Sequence, residues 1–111
     1  MLITDAPVDN HGKGESFSPT DLVATALGSC MATVMGIHGN KMDLQMDGLS
    51  WTTEKVMRSD PRRIDTITIK FEWNDPPGDP HQRQKLKEIA LNCPVALSLL
   101  PQINQNIEFN F

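Results

Sequence analysis

The stretch SPTDLVATALGSCMATVMGIHGN, Ser18 to Asn40, decides the fold. Ser18 can cap a helix, Pro19 suits its first turn, and Asp21 can bond back to the cap amide in a capping box. No formally charged residue follows before His38, and Gly39-Asn40 tolerates a left-handed C-terminal conformation, so one helix is expected from Pro19 to about His38. Along it Leu22, Ala26, Cys30 and Val34 form one i, i+4 stripe, and Val23, Leu27, Met31 and Met35 a second. Ala24, Gly28, Ala32 and Gly36 form a third, made of small residues only. A helix apolar on nearly every face is expected to be buried on nearly every face, and the small stripe lets another backbone approach closely. A chain of 111 residues has little material to enclose it, so a homodimer sharing this helix across its interface, with Gly28 and Ala32 in contact there, is expected.

Downstream the periodicity switches from helical to alternating. Leu44 and Met46, then Leu49 and Trp51 on the opposite parity, predict a strand with a bulge at Gly48. Ser59-Asp60-Pro61 is turn chemistry, and Ile67, Ile69, Phe71 and Trp73 alternate with Thr66, Thr68, Lys70 and Glu72, which predicts a half-buried antiparallel hairpin. The run from Asn74 through Pro80 ends the sheet, and Asp79-Pro80 with Gln82 starts a helix that turns Leu86, Ile89 and Ala90 inward. Cys93-Pro94 opens a short helix to Leu100, after which Ile107, Phe109 and Phe111 alternate as a last strand. Upstream, Met1 to Val8 predicts a short strand and Asp9 to Phe17 a loop. With no repeat and no low-complexity tract, residues 1–111 read as a single α+β domain.

Ten Lys and Arg against fourteen Asp and Glu leave a net charge of −4, so no overall positive field exists to attract nucleic acid. The uncharged run from Leu22 to Ile37 is interrupted by Thr, Gly and Ser and falls short of the roughly 20 apolar residues of a membrane span. Asp5 stands where a secretory signal would be apolar, so a cytoplasmic protein is expected. The two cysteines, Cys30 and Cys93, form no C-x-x-C pair and no zinc-type spacing with histidine, so neither a metal nor another cofactor is expected. In a cytoplasmic chain they read as free or redox-active thiols, with inert core thiols as the alternative.

A thiol that attacks peroxides must ionise near neutral pH, which requires a cation, a helix N-terminus or a hydrogen-bond donor. Cys93 meets that condition as N-cap of the helix opened by Pro94. Cys30 lies about 18 Å along its helix from Ser18, where the dipole has faded, so it needs an outside cation or donor. His38 reads as a helix-end residue, and His11 and His81 as solvated. Arg58, Arg62 and Arg63 flank the hairpin turn and face water, with a reach to Cys30 as the alternative. The six methionines read as pliable core.

SPTDLVATALGSC, followed by a hairpin, a second helix and NCPVALSLL, resembles the OsmC/Ohr family of osmotically induced and organic hydroperoxide resistance proteins. The resemblance covers nearly the whole chain in order. It implies an OsmC-like α+β fold, a curved antiparallel sheet around a long buried central helix, with two chains intertwined. It also implies a thiol-dependent peroxidase in which Cys30 becomes a sulfenate and Cys93 resolves it as a disulfide, with a small hydroperoxide as substrate and a dithiol as reductant.

Two departures follow from that comparison. Met1 falls inside the family's third strand, so the N-terminal hairpin and its arginine are not represented in residues 1–111. The carboxylate that follows the proline is replaced by Thr20, with Asp21 one place on and rotated by about 100° around the helix. Asp21 therefore reads either as the substitute catalytic carboxylate or as a helix cap. The apolar neighbours of Cys30 favour a lipid-like hydroperoxide over hydrogen peroxide. The second functional expectation is a catalytically weak OsmC-fold dimer that binds a small apolar ligand, its cysteines structural.

Overall fold

The computed structural model describes all residues from Met1 to Phe111. A single 3-10 turn at Val8–Asn10 precedes α1 (Pro19–Lys41), the hairpin β1 (Ser50–Arg58) and β2 (Arg63–Glu72), then α2 (Pro80–Leu91), α3 (Pro94–Ser98) and β3 (Asn104–Asn110). This is the expected α+β architecture, but the sheet is mixed rather than wholly antiparallel. β1 pairs β2 antiparallel, whereas β3 pairs β2 in parallel, Ile69 opposite Ile107 and Phe71 opposite Phe109. The reason is the connection: α2 and α3 carry the chain back across the sheet, and a helical crossover returns a strand parallel to the one it left.

α1 starts as its residues dictate. The Ser18 Oγ accepts the Asp21 amide at 3.0 Å and the Asp21 carboxylate accepts the Ser18 amide at 2.9 Å. The helix continues past His38 to Lys41, because Gly39 stays helical beneath the Met46 side chain instead of ending it. Asp79 and Gln82 build the same box at the start of α2, with bonds of 2.8 and 3.0 Å.

Two predicted strand segments are not strands. Leu44 to Gly48 is a turn region, because Asp43 and Gly48 take left-handed backbone conformations with φ of 58° and 86° and the chain cannot stay extended between them. Leu44, Met46 and Leu49 pack half-buried against the core from that loop. Met1 to Val8 pairs with no strand; the Asp5 carboxylate instead accepts the Lys13 and Glu15 amides, both at 3.1 Å, and draws the following loop around itself.

The core lies between one face of α1, the inner face of the hairpin, and α2. Leu27, Met31, Met35, Ile67, Ile69, Phe71 and Leu86 are fully buried there, each contributing about 1.5–3 kcal/mol over its exposed state. Phe109 stacks on Phe71 at 5.4 Å and Phe111 meets Trp73 edge-on at 5.2 Å, which ties β3 to the hairpin. α1 has the length and the mean hydropathy, 1.4, of a membrane span, but its Leu27, Met31 and Met35 are the centre of this core.

The small stripe of α1 does something other than expected. Gly28 is buried against its own chain: a Cβ there would lie 2.9 Å from Thr53 Oγ1 and 3.0 Å from Trp51 Nε1. The close approach is therefore between α1 and β1 within one protomer, not Gly28 across a subunit boundary. The opposite side of the helix, Val23, Ala26, Ser29, Thr33 and Ile37, is exposed. Only 16 of 111 residues are buried, and the radius of gyration of 15.6 Å exceeds the about 13 Å of a compact chain this long.

Candidate functional site

Pro94 sets the φ of the first turn of α3 and places Cys93 as its N-cap. The Ala96 amide donates to Cys93 Sγ at 3.4 Å, and the residue is 1% exposed. α3 packs against α1, and the Cys93 thiol comes to lie beside the thiol of Cys30. Burial pushes the Cys93 thiol above its ordinary value, the Ala96 amide opposes that rise, and the neighbouring Cys30 adds to it. Cys30 itself is half-buried, so it is the less enclosed of the two residues. Residues far apart in the chain are thus brought together as two free thiols.

Asp21 is not brought to that pair. It sits in the capping box at the helix start, about 13 Å along α1 from Cys30 by the helical rise. Its carboxyl is held below the usual carboxylate value, first by the Ser18 amide and then by Lys55, with burial opposing. The Lys55 ammonium lies 3.0 Å from Asp21 Oδ1, and Lys55 Nζ donates to Thr20 Oγ1 at 2.7 Å and Ser18 Oγ at 3.2 Å. Thr20 is thereby a partner of this lysine.

Lys55 escaped the sequence reading because it sits among the exposed charges of a hairpin. A usable signal existed: it shares strand parity with Thr53 and Met57, which face α1 and the core, while Thr52, Glu54 and Val56 face outward. The hairpin arginines remain outside. β1 runs against α1 with Thr53 beside Gly28 and Lys55 beside Ser18, so the turn that follows lies beyond the helix start, away from Cys30. There Arg62 pairs with Asp9 at 3.6 Å and Arg63 donates to the Ile64 carbonyl.

Beside the outer side of α1 an open groove of about 310 Å³ is lined by Ser29, Ala32, Thr33, Gly36, Met46, Leu49 and Trp51. No group of His, Cys, Asp and Glu side chains is arranged to hold a metal ion.

Residues 12–108 match a protein family described as OsmC-like protein. Among solved structures, the chain is similar to a protein of Psychrobacter arcticus described as a candidate osmotic stress induced and detoxification response protein. The two share 45% identity over 98% of this chain and 79% of that one, with a TM-score of 0.90. It shares its fold with an organic hydroperoxide resistance protein OsmC of Legionella pneumophila (TM-score 0.77, 14% identity, 96% and 79% covered). The same holds for the organic hydroperoxide resistance protein OhrB of Bacillus subtilis (TM-score 0.58, 14% identity, 86% and 71% covered). No match was found among curated proteins.

Proposed function

The chain belongs to the OsmC-like protein family, and from that premise we propose that it is a thiol-dependent peroxidase acting on organic hydroperoxides. The observation that carries the reading is the neighbourhood of a half-buried Cys30 and a buried Cys93 where α1 and α3 pack together. The Cys30 thiolate attacks the outer peroxide oxygen; the S–O bond forms as the O–O bond breaks, and the alkoxide leaves and takes a proton from water. Cys93 then attacks the sulfur of the Cys30 sulfenic acid, its proton departing with the hydroxyl as water, and a disulfide remains. A dithiol supplies two electrons to restore both thiols.

The protein acts as a homodimer in this reading. Val23, Phe17, Ile37, Leu97 and Leu100 stand exposed, and the protomer is more extended than a chain that folds alone. Cys30 and Val34 lie partly buried against the apolar core, which favours a substrate with an apolar body. The test is product analysis with stoichiometric cumene hydroperoxide. Cys30→Ser should lose all peroxide consumption, and Cys93→Ser should stop after one turnover with Cys30 labelled by a sulfenate-specific probe. Consumption unchanged in Cys30→Ser overturns the reading. The second reading, a small-ligand-binding dimer with structural thiols, is favoured by the groove at Trp51, and it predicts no sulfenate at Cys30.

A further inference from the structure

The loop between α1 and β1 is fastened near each end. The Leu44 amide donates to the Gly39 carbonyl at 2.9 Å, and Trp73 Nε1 donates to the Asp47 carbonyl at 2.9 Å. Between those bonds Gln45 and Asp47 are exposed and bond each other, while Met46 turns back onto α1. Its sulfur rests on Gly39, where a Cβ would overlap that sulfur and lie 2.9 Å from the Cε methyl. Met46 is half-buried, and its side chain forms part of the wall of the open groove together with Ala32, Gly36, Leu49 and Trp51. Met31 and Met35 are fully buried, and the half-buried Met42 and Met57 line no cavity. Met46 therefore joins two properties that the other methionines do not share, a border on open space and a seat that has no room for an added atom.

We propose that Met46 is a redox-modification site and a latch: an organic hydroperoxide converts its thioether to the sulfoxide, and the loop from Asp43 to Gly48 then leaves α1. The sulfur lone pair attacks the outer peroxide oxygen, and the S–O bond forms as the O–O bond breaks. The sulfur is oxidised by two electrons, and the peroxide is reduced to the alcohol, which keeps the peroxide proton. The new oxygen is a hydrogen-bond acceptor on a side chain that was apolar. The Gly39 amide is committed within the helix, so the seat offers no donor, and the missing Cβ leaves room for the sulfur alone. The sulfoxide is better satisfied in water than on the helix, and its departure widens the groove at Trp51. This chemistry belongs to a thioether and is independent of the two thiols.

The test treats the full chain with excess tert-butyl hydroperoxide and then with dithiothreitol, which returns a disulfide or sulfenate to thiol but leaves a sulfoxide in place. Peptide mapping should find Met46 as the sulfoxide while Met31 and Met35 stay unmodified. Hydrogen–deuterium exchange should then rise from Asp43 to Gly48 and stay unchanged in β2. Methionine sulfoxide reductases A and B, which serve the two sulfoxide epimers, should return that exchange to its starting level. In Met46→Leu the same peroxide treatment should leave exchange in the loop unchanged. Met46 left intact when the fully exposed Met1 is oxidised overturns the site. Unchanged loop exchange with Met46 oxidised, or an equal rise in Met46→Leu, overturns the latch. If Met46→Leu does not fold, the reductase step decides: exchange that stays high once the Met46 sulfoxide is gone overturns the latch.

Discussion

The Lys55 ammonium reaches from the middle of β1 to within 3.0 Å of the Asp21 carboxylate, and so fastens the hairpin to the first turn of α1. With the side chain of Lys55 only 15% exposed, this is more than a surface ion pair, because Ser18 and Thr20 supply the remaining acceptors.

Removing either partner should show this coupling. Lys55→Met and Asp21→Asn are each expected to cost about 1–2 kcal/mol in urea unfolding, with a coupling of about 1 kcal/mol in the double-mutant cycle. Additive effects would mean that the contact carries no stability.

The same carboxylate sets part of the acid response. The Asp21 carboxyl lies lower in the folded chain than its ordinary value of 3.8, so its contribution is complete above that pH and is lost as the pH falls through the lowered value. Stability of Asp21→Asn should therefore fall less steeply than that of the unmodified chain below about pH 4. Parallel acid limbs would contradict the assignment.

Gly28 and Gly36 share a stripe but not an environment. A side chain at Gly28 meets Trp51 and Thr53, whereas one at Gly36 meets nothing within 4 Å. Gly28→Leu should destabilise by about 1–3 kcal/mol and shift the Trp51 emission. Gly36→Ala should stabilise by up to about 1 kcal/mol through helix propensity. A loss at Gly36 would show that the stripe is covered in the assembled protein.

Ile37 is 49% exposed on the outer side of α1, clear of the core. If that side is the shared interface, Ile37→Asp should convert a sedimenting dimer at micromolar concentration to monomer. A native chain that sediments as a folded monomer contradicts the dimer.

How much of this was legible follows from the range of each interaction. The capping boxes at Ser18 and Asp79, the N-cap at Cys93 and the buried alternation of Ile67, Ile69 and Phe71 are set by neighbours a few residues apart, and the sequence displays them. The turn at Gly48 imitates a bulged strand because Leu44 and Met46 are half-buried from a loop, where burial needs no alternation. The parallel course of β3 and the place of Gly28 under Trp51 depend on how distant elements dock, which local pattern does not record. The site divides the same way. Both thiols stood out by type and motif, Asp21 was visible as a cap, and Lys55 stayed hidden because its partners belong to another element.

The pairing of Cys30 with Cys93 is the central claim, and peptide mapping after one equivalent of organic hydroperoxide tests it most directly. Under non-reducing conditions the account predicts one disulfide, joining Cys30 and Cys93 of the same chain, formed without larger cross-linked species and abolished in Cys30→Ser. A Cys30 that oxidises to sulfinic acid while Cys93 stays a free thiol, or a disulfide found only between chains, would contradict it.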